Sequence, residues 1–186
     1  MTLEATFQNL CSGIAEWSQY VQDLRVTIVE DKPLGGDRAL IDQLGDATYD
    51  VRGHLEEALE FADEARRAVE MNSINSDLAR RRLASCNERI NNAMKNYLDL
   101  ISYERVGELV EMGGEFGREG QAWVGSVKSA LDQCRQMMHK VNQLILQSWL
   151  ELTDRMAISP VAVHATNIGQ QINAAEVGEL SRGHIP

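Results

Sequence analysis

Residues 3–28 read LEATFQNLCSGIAEWSQYVQDLRVTI, and eight apolar residues in this stretch follow one another at alternating spacings of four and three. They are Leu3, Phe7, Leu10, Ile14, Trp17, Val21, Leu24 and Ile28. This heptad seam is typical of a long helix that buries one narrow stripe against other helices. The stretch therefore predicts an all-α fold built from long helices, while a seam by itself carries no chemistry.

Similar seams recur in three later parts of the chain, about 38–71, 77–105 and 121–157, after a first helix of about 2–29. The second seam is Ile41, Leu44, Thr48, Val51, Leu55, Ala58, Ala62, Ala65 and Val69; the third is Ala79, Leu83, Cys86, Ile90, Ala93, Tyr97 and Leu100; the fourth is Val127, Leu131, Cys134, Met138, Val141, Ile145, Ser148 and Leu152. Four such helices predict an elongated up-down antiparallel four-helix bundle with coiled-coil-like packing, formed by residues 1–157.

The connections between the first three predicted helices are short. Pro33 and the pair Gly35-Gly36 end the first helix, and Asp37 is suited to cap the second. Residues 37–70 contain ten acids and four bases, whereas 77–105 contain four acids and six bases. Opposite charge on successive helices favours an antiparallel hairpin, although each exposed ion pair adds only about 0.2–1 kcal/mol.

The segment 106–122, VGELVEMGGEFGREGQA, contains five glycines. Each internal glycine destabilises a helix by about 1 kcal/mol relative to alanine, so the segment predicts a break in the helix. Leu109, Met112 and Phe116 nevertheless keep helical spacing. A kinked helix with a close-packing glycine face is therefore the alternative interpretation.

The C-terminal extension, residues 158–186, is predicted to lie outside the bundle. Ser159-Pro160 is a helix-start signal, because serine caps a helix and proline is favoured at its first position. A short fifth helix to about Ala175 is one interpretation, followed by a flexible tail from Gly178 to Pro186.

The net charge of −10, from 18 basic and 28 acidic residues, argues against two classes of partner. Nucleic acids and anionic lipid surfaces both require positive protein surface, so neither is expected to bind. The chain also shows no signal peptide and no run of 18 apolar residues. Three widely separated cysteines without a CxxC pair suit a reducing compartment, and we expect a cytoplasmic protein.

Motifs that would indicate an enzyme or a metal protein are missing from the sequence. A di-metal bundle needs paired Glu-x-x-His motifs, whereas His54-Leu55-Glu56-Glu57 has the reverse order and stands alone. No GxSxG nucleophile elbow and no phosphate-binding GxxxxGK[ST] loop occurs. We therefore predict no catalytic, cofactor-binding or metal-binding residue and no cofactor.

The tripeptide Trp123-Val124-Gly125 is similar to the turn signature of the small secreted WXG helical-hairpin proteins. The similarity covers three residues of 186. In our interpretation, Trp123 packs against the core and Gly125 belongs to the glycine-rich stretch.

These observations lead to the expectation of a non-enzymatic protein–protein interaction module, acting as an adaptor, a scaffold or a subunit of a larger assembly. Its partner would be another protein or a second copy of the chain. The alternative is an exported or effector-type helical protein in which the glycine-rich segment is a conformational hinge. The residues expected to bind a partner or form the hinge are Met112, Gly113, Gly114, Phe116, Gly117 and Trp123.

Overall fold

A computed structural model describes residues 2–33, 35, 37–70 and 76–156, and it confirms the predicted all-α fold for them. Five helices pack against one another in this part of the chain. They are α1 (Leu3–Val29), α2 (Arg38–Glu70), α3 (Ser76–Leu100), α4 (Tyr103–Gly114) and α5 (Gly117–Arg155).

Helix α1 begins where its sequence provides a cap and buries its whole seam. The hydroxyl of Thr2 accepts a hydrogen bond from the Ala5 amide at 3.2 Å, which satisfies one of the unpaired donors at the start of the helix. All eight seam residues are at most 4% exposed. The seam predictions for the later helices are confirmed as well, because every residue of those three seams is buried.

Neighbouring long helices run antiparallel, as the pairs of residues that touch between them show. Helices α1 and α5 are joined near both ends, by Thr6 with Glu151 and by Trp123 with Thr27. A surface ion pair between Glu16 and Lys140 at 2.7 Å lies between these two contacts. Helix α2 packs against both α1 and α3. Helix α1 therefore lies between α2 and α5 in the bundle.

The α2–α3 hairpin carries the charge pairing that the sequence favours. Arg82 of α3 pairs with Glu64 of α2 at 2.7 Å, and Arg89 pairs with Glu57 at 2.7 Å. The Arg82 guanidinium also lies 5.9 Å from the centre of the Phe61 ring, within range of a cation–π interaction. These contacts hold the two helices side by side in one register.

Two aromatic side chains connect helices across the core. The rings of Trp17 in α1 and Tyr97 in α3 meet edge to face with centres 6.4 Å apart, an arrangement that aromatic pairs prefer. The Tyr97 hydroxyl donates a hydrogen bond to the backbone oxygen of Leu131 in α5. Burial raises the pKa of this hydroxyl well above its usual range, so it stays protonated and remains a donor.

The helix predicted over 77–105 is wrong in its C-terminal part, because it ends at Leu100 and a new helix begins at Tyr103. Ser102 has an extended backbone conformation, with ψ of 149°, and this interrupts the helical hydrogen bonding. The restart allows Leu109 and Met112 to turn inward and become buried. The described residues therefore form five helices rather than the predicted four. The additional helix is α4, which precedes the last long helix, α5.

The proposed fifth helix from Pro160 and the predicted tail lie outside the described residues, which end at Met156. Among the described residues, none of the helices combines the length and apolar character required to cross a bilayer.

Candidate interaction surface on α4

The glycine-rich segment forms a tight hairpin between α4 and α5. Helix α4 ends at Gly114, Glu115 and Phe116 form a turn, and α5 begins at Gly117. Gly117 has a φ of +59°, in the left-handed region that favours glycine. A break in the helix is therefore present, but it is only two residues long.

Two glycines make the close approach of α4 and α5 possible. A Cβ atom on Gly120 would overlap the carbonyl oxygen of Gly113. A Cβ atom on Gly113 would lie 2.9 Å from the carbonyl oxygen of Gly120 and would also overlap the side chain of Val124. Because the obstructing atoms include backbone, a larger residue at Gly120 would push the helices apart.

The inner face of α4 is also attached to the loop between α1 and α2. The backbone amide of Asp37 lies 3.2 Å from the sulfur of Met112 and donates to it. The ring of Phe116 lies over Gly35, where a Cβ atom would be 3.6 Å from Cε1 of the ring. Contacts with α5 on one side and this loop on the other fix the orientation of α4.

Most of the predicted partner-binding residues point into the molecule. Met112, Gly113 and Trp123 are buried, and Phe116 is partly buried. The indole nitrogen of Trp123 donates a hydrogen bond to the carbonyl oxygen of Thr27 at 2.8 Å. Only Gly114 and Gly117 of the predicted set are exposed. In this arrangement Met112 and Trp123 could contact a partner only after α4 had moved.

The similarity of Trp123-Val124-Gly125 to a helical-hairpin turn does not extend to the structure. All three residues lie within α5, several residues after the turn at Glu115 and Phe116. Trp123 is 5% exposed and belongs to the core, as the sequence interpretation expected.

The outer side of α4 presents a surface that the sequence interpretation missed. We call it the α4 strip and define it as Tyr103, Gly107, Val110 and Gly114. With 3.6 residues per turn, these spacings of four, three and four place the residues on one side of the helix. Tyr103 is 96% exposed and Val110 is 41% exposed. Cβ atoms added to Gly107 or Gly114 would meet no atom within 4 Å, so the surface is open there.

A signal for this strip was present in the sequence. Tyr103 and Val110 are seven residues apart, a spacing that places them on the same side of a helix. This side lies beside the one that Leu109 and Met112 turn towards the core. Glycine obscures it, because two of its four members have no side chain.

Carboxylates border the α4 strip along one flank, where a groove of about 500 Å³ separates α4 from the start of α2. We call this the acidic groove; its walls are Asp37, Ala39, Leu40, Gln43, Glu108, Glu111, Met112 and Glu115. The Asp37 carboxylate caps α2 by accepting from the Ala39 amide at 2.9 Å. The three glutamates, in contrast, are exposed, Glu108 and Glu111 on α4 and Glu115 in the turn that follows it. Glu104, one turn before Glu108, continues the acidic flank towards the start of the helix.

The opposite flank of the α4 strip has a different character. A small apolar cleft of about 10 Å³ between α4 and α5 is lined there by Val106, Leu109, Val110, Val124, Val127, Lys128 and Leu131. The strip is therefore bordered by acids on one side and mainly by apolar side chains on the other.

The cysteine thiols lie away from this surface and are unreactive in character. Burial is the main cause that raises the pKa of Cys11 to about 11 and that of Cys134 to about 12, and it raises the pKa of Cys86 further. The thiolate is the reactive form, so these thiols are protonated near neutral pH. Within the described residues, no group of three or more His, Cys, Asp or Glu side chains is arranged to hold a metal ion.

Comparisons with protein-family models, with curated proteins and with solved structures found no match for this chain.

Proposed function

We propose that this chain is a non-enzymatic protein–protein interaction module that acts as an adaptor, a scaffold or a subunit of a larger assembly. The observation that carries the proposal is the α4 strip, in which Tyr103 is almost fully exposed and Val110 is also exposed on the outer side of a packed helix. Exposed tyrosines are favoured at the centres of protein interfaces, because they bury a large apolar area and lose little conformational freedom.

The attachment of α4 supports the same proposal. A surface that is already ordered binds a partner with a smaller loss of conformational entropy. The Gly113–Gly120 contact and the Asp37–Met112 contact hold α4 from two directions. Three buried thiols without disulfides suit a reducing compartment, and we propose a cytoplasmic location on that basis.

Size-exclusion chromatography with light scattering, combined with affinity capture of the full chain, tests this function. We expect either a defined homo-oligomer or a partner protein that is retained in a fixed molar ratio through a high-salt wash. A strict monomer that retains no partner in a fixed ratio would contradict the proposal.

A further inference from the structure

We propose that the α4 strip docks an amphipathic helix of a partner protein, and that lysine or arginine residues border the apolar stripe of this helix on one side. This inference rests on the proposed interaction function and specifies both its surface and the chemistry of its partner. Two independent features carry it, namely the shape of the strip and the position of the charges beside it.

The shape of the α4 strip suits a helix rather than a flat or extended partner. Residues with a large side chain alternate with glycines along it, in the order Tyr103, Gly107, Val110 and Gly114. The two glycines are seven residues apart, which corresponds to about 10.5 Å along the helix axis. Leucine-sized side chains at heptad spacing on a second helix would lie over Gly107 and Gly114, as knobs lie in holes.

The charges beside the α4 strip determine which kind of partner helix can dock on it. Glu104, Glu108, Glu111 and Glu115 border the strip on the flank of the acidic groove, whereas the other flank has the apolar cleft with Lys128 at its edge. Basic side chains on one border of the docked helix would reach the glutamates and extend into the groove. Acidic side chains in the same place would face like charge, which disfavours association.

A second copy of this chain fits the strip less well in either two-fold arrangement. If two α4 helices were antiparallel, Tyr103 would face Gly114 and Val110 would face Gly107, but both acidic flanks would lie on the same side. If they were parallel, the acidic flank of each copy would face the Lys128 flank of the other. However, Tyr103 would then face Tyr103 of the second copy, and each glycine would face the equivalent glycine. Shape and charge are thus satisfied together only by a different helix.

Three synthetic peptides of equal length test the proposal with the full chain. The first has leucines at heptad spacing and lysines along one border, the second has glutamates in place of the lysines, and the third is a scrambled version of the first. We expect fluorescence anisotropy to show that the lysine-bordered peptide binds at least about tenfold more tightly than either control. Equal binding of the lysine-bordered and scrambled peptides would indicate attraction by charge alone and would overturn the proposal.

Matched variants locate the binding surface. Gly107→Gln places a side chain in open space on α4, and Gly53→Gln does the same on α2, since a Cβ atom at either position meets no atom within 4 Å. Both changes replace glycine with a better helix former, so loss of fold does not explain loss of binding. We expect Gly107→Gln to weaken binding of the lysine-bordered peptide about tenfold and Gly53→Gln to leave it unchanged. Equal affinities for the two variants would overturn the assignment.

Charge variants test the second feature. The pair Glu104→Gln and Glu111→Gln should weaken binding about fivefold at low salt, in line with two exposed ion pairs. The control pair Glu4→Gln and Glu60→Gln removes the same charge from exposed positions on α1 and α2. If both pairs weaken binding equally, only net charge matters and the proposed charge arrangement is wrong.

A photo-crosslinking phenylalanine at position 103 identifies what occupies the strip. We expect it to crosslink to the lysine-bordered peptide. Crosslinks to a second copy of the chain or to residues 157–186, with none to the peptide, would show another occupant and overturn the inference. If a partner found by affinity capture binds wild-type protein and Gly107→Gln equally, the interaction function stands and only this surface is refuted. A strict monomer without a partner would instead refute the function itself.

Discussion

Helices α1 and α4 differ most on the sides that face away from the core. Helix α1 buries its seam and exposes polar residues such as Glu4, Gln8 and Asp23. Helix α4 also buries apolar residues, but it exposes Tyr103 and Val110 beside open glycines. An inner seam therefore determines how a helix packs within its own chain. The outer side indicates whether a further partner is expected.

The largest effect should come from removing a core side chain of α1. Trp17 is completely buried, and we expect Trp17→Ala to lower the free energy of unfolding by about 3–5 kcal/mol, because it leaves a cavity. Tyr103→Ala on the outer side of α4 should change it by less than about 0.5 kcal/mol. Urea denaturation followed by circular dichroism measures both values. Equal losses would show that Tyr103 also contributes to the fold and would weaken its assignment to a binding surface.

The next largest effect concerns the attachment of α4. In Gly120→Ala the new methyl group would overlap the Gly113 carbonyl oxygen, so we expect a loss of about 2–3 kcal/mol. Hydrogen exchange should accelerate in residues 103–114 more than in α1. Gly125→Ala is the matched control, because its Cβ atom meets nothing within 4 Å and alanine favours the helix by up to about 1 kcal/mol. Unchanged exchange in α4 would contradict the close packing of the two glycines.

A smaller effect is expected from the hydrogen bond that connects α3 to α5. Tyr97→Phe keeps the ring against Trp17 and removes the hydroxyl that donates to Leu131. We expect the free energy of unfolding to fall by about 1 kcal/mol, the usual net contribution of such a bond. Thermal denaturation with matched buffers measures the difference. A gain in stability would show that burial of the hydroxyl outweighs its hydrogen bond.

The remaining effect is a dependence of stability on alkaline pH. The pKa of Cys11 is raised from 9.0 to about 11 in the folded state, so folding favours the protonated thiol. Its contribution to stability is complete below pH 9 and is lost as the pH rises to about 11. Urea titrations at pH 8 and pH 10.5, for wild type and Cys11→Ser, measure this contribution. An identical pH dependence in the two proteins would exclude Cys11 as its source.

Heptad spacing was sufficient to predict the core, because burial follows directly from the position of a residue around a helix. Every seam residue from Leu3 to Ile28 is buried, and the same spacing identifies residues as small as Ala79 and Ala93. The division between α3 and α4 was not predictable in this way. Serine is acceptable within a helix as well as before one, so the residue type at Ser102 does not reveal the extended conformation that separates the two helices.

The glycine-rich segment shows a second limit of sequence reasoning. Its five glycines have at least three roles: Gly113 and Gly120 allow two helices to touch, Gly117 adopts a positive φ, and Gly107 faces open space. Composition alone treats these residues as equal. The sequence interpretation already expected Trp123 to pack against the core, whereas the burial of Met112 beside it became evident only from the tertiary contacts.

Because α4 begins as a separate helix at Tyr103, it can be engineered independently of the long helices. Helix α4 comprises only 12 residues and packs chiefly against α5, while α1, α2 and α3 form their own extensive contacts. Its outward residues can therefore be replaced as a cassette without altering the seams that hold the long helices together. A library varied only at positions 103, 107, 110 and 114 would therefore present many different surfaces on one unchanged scaffold.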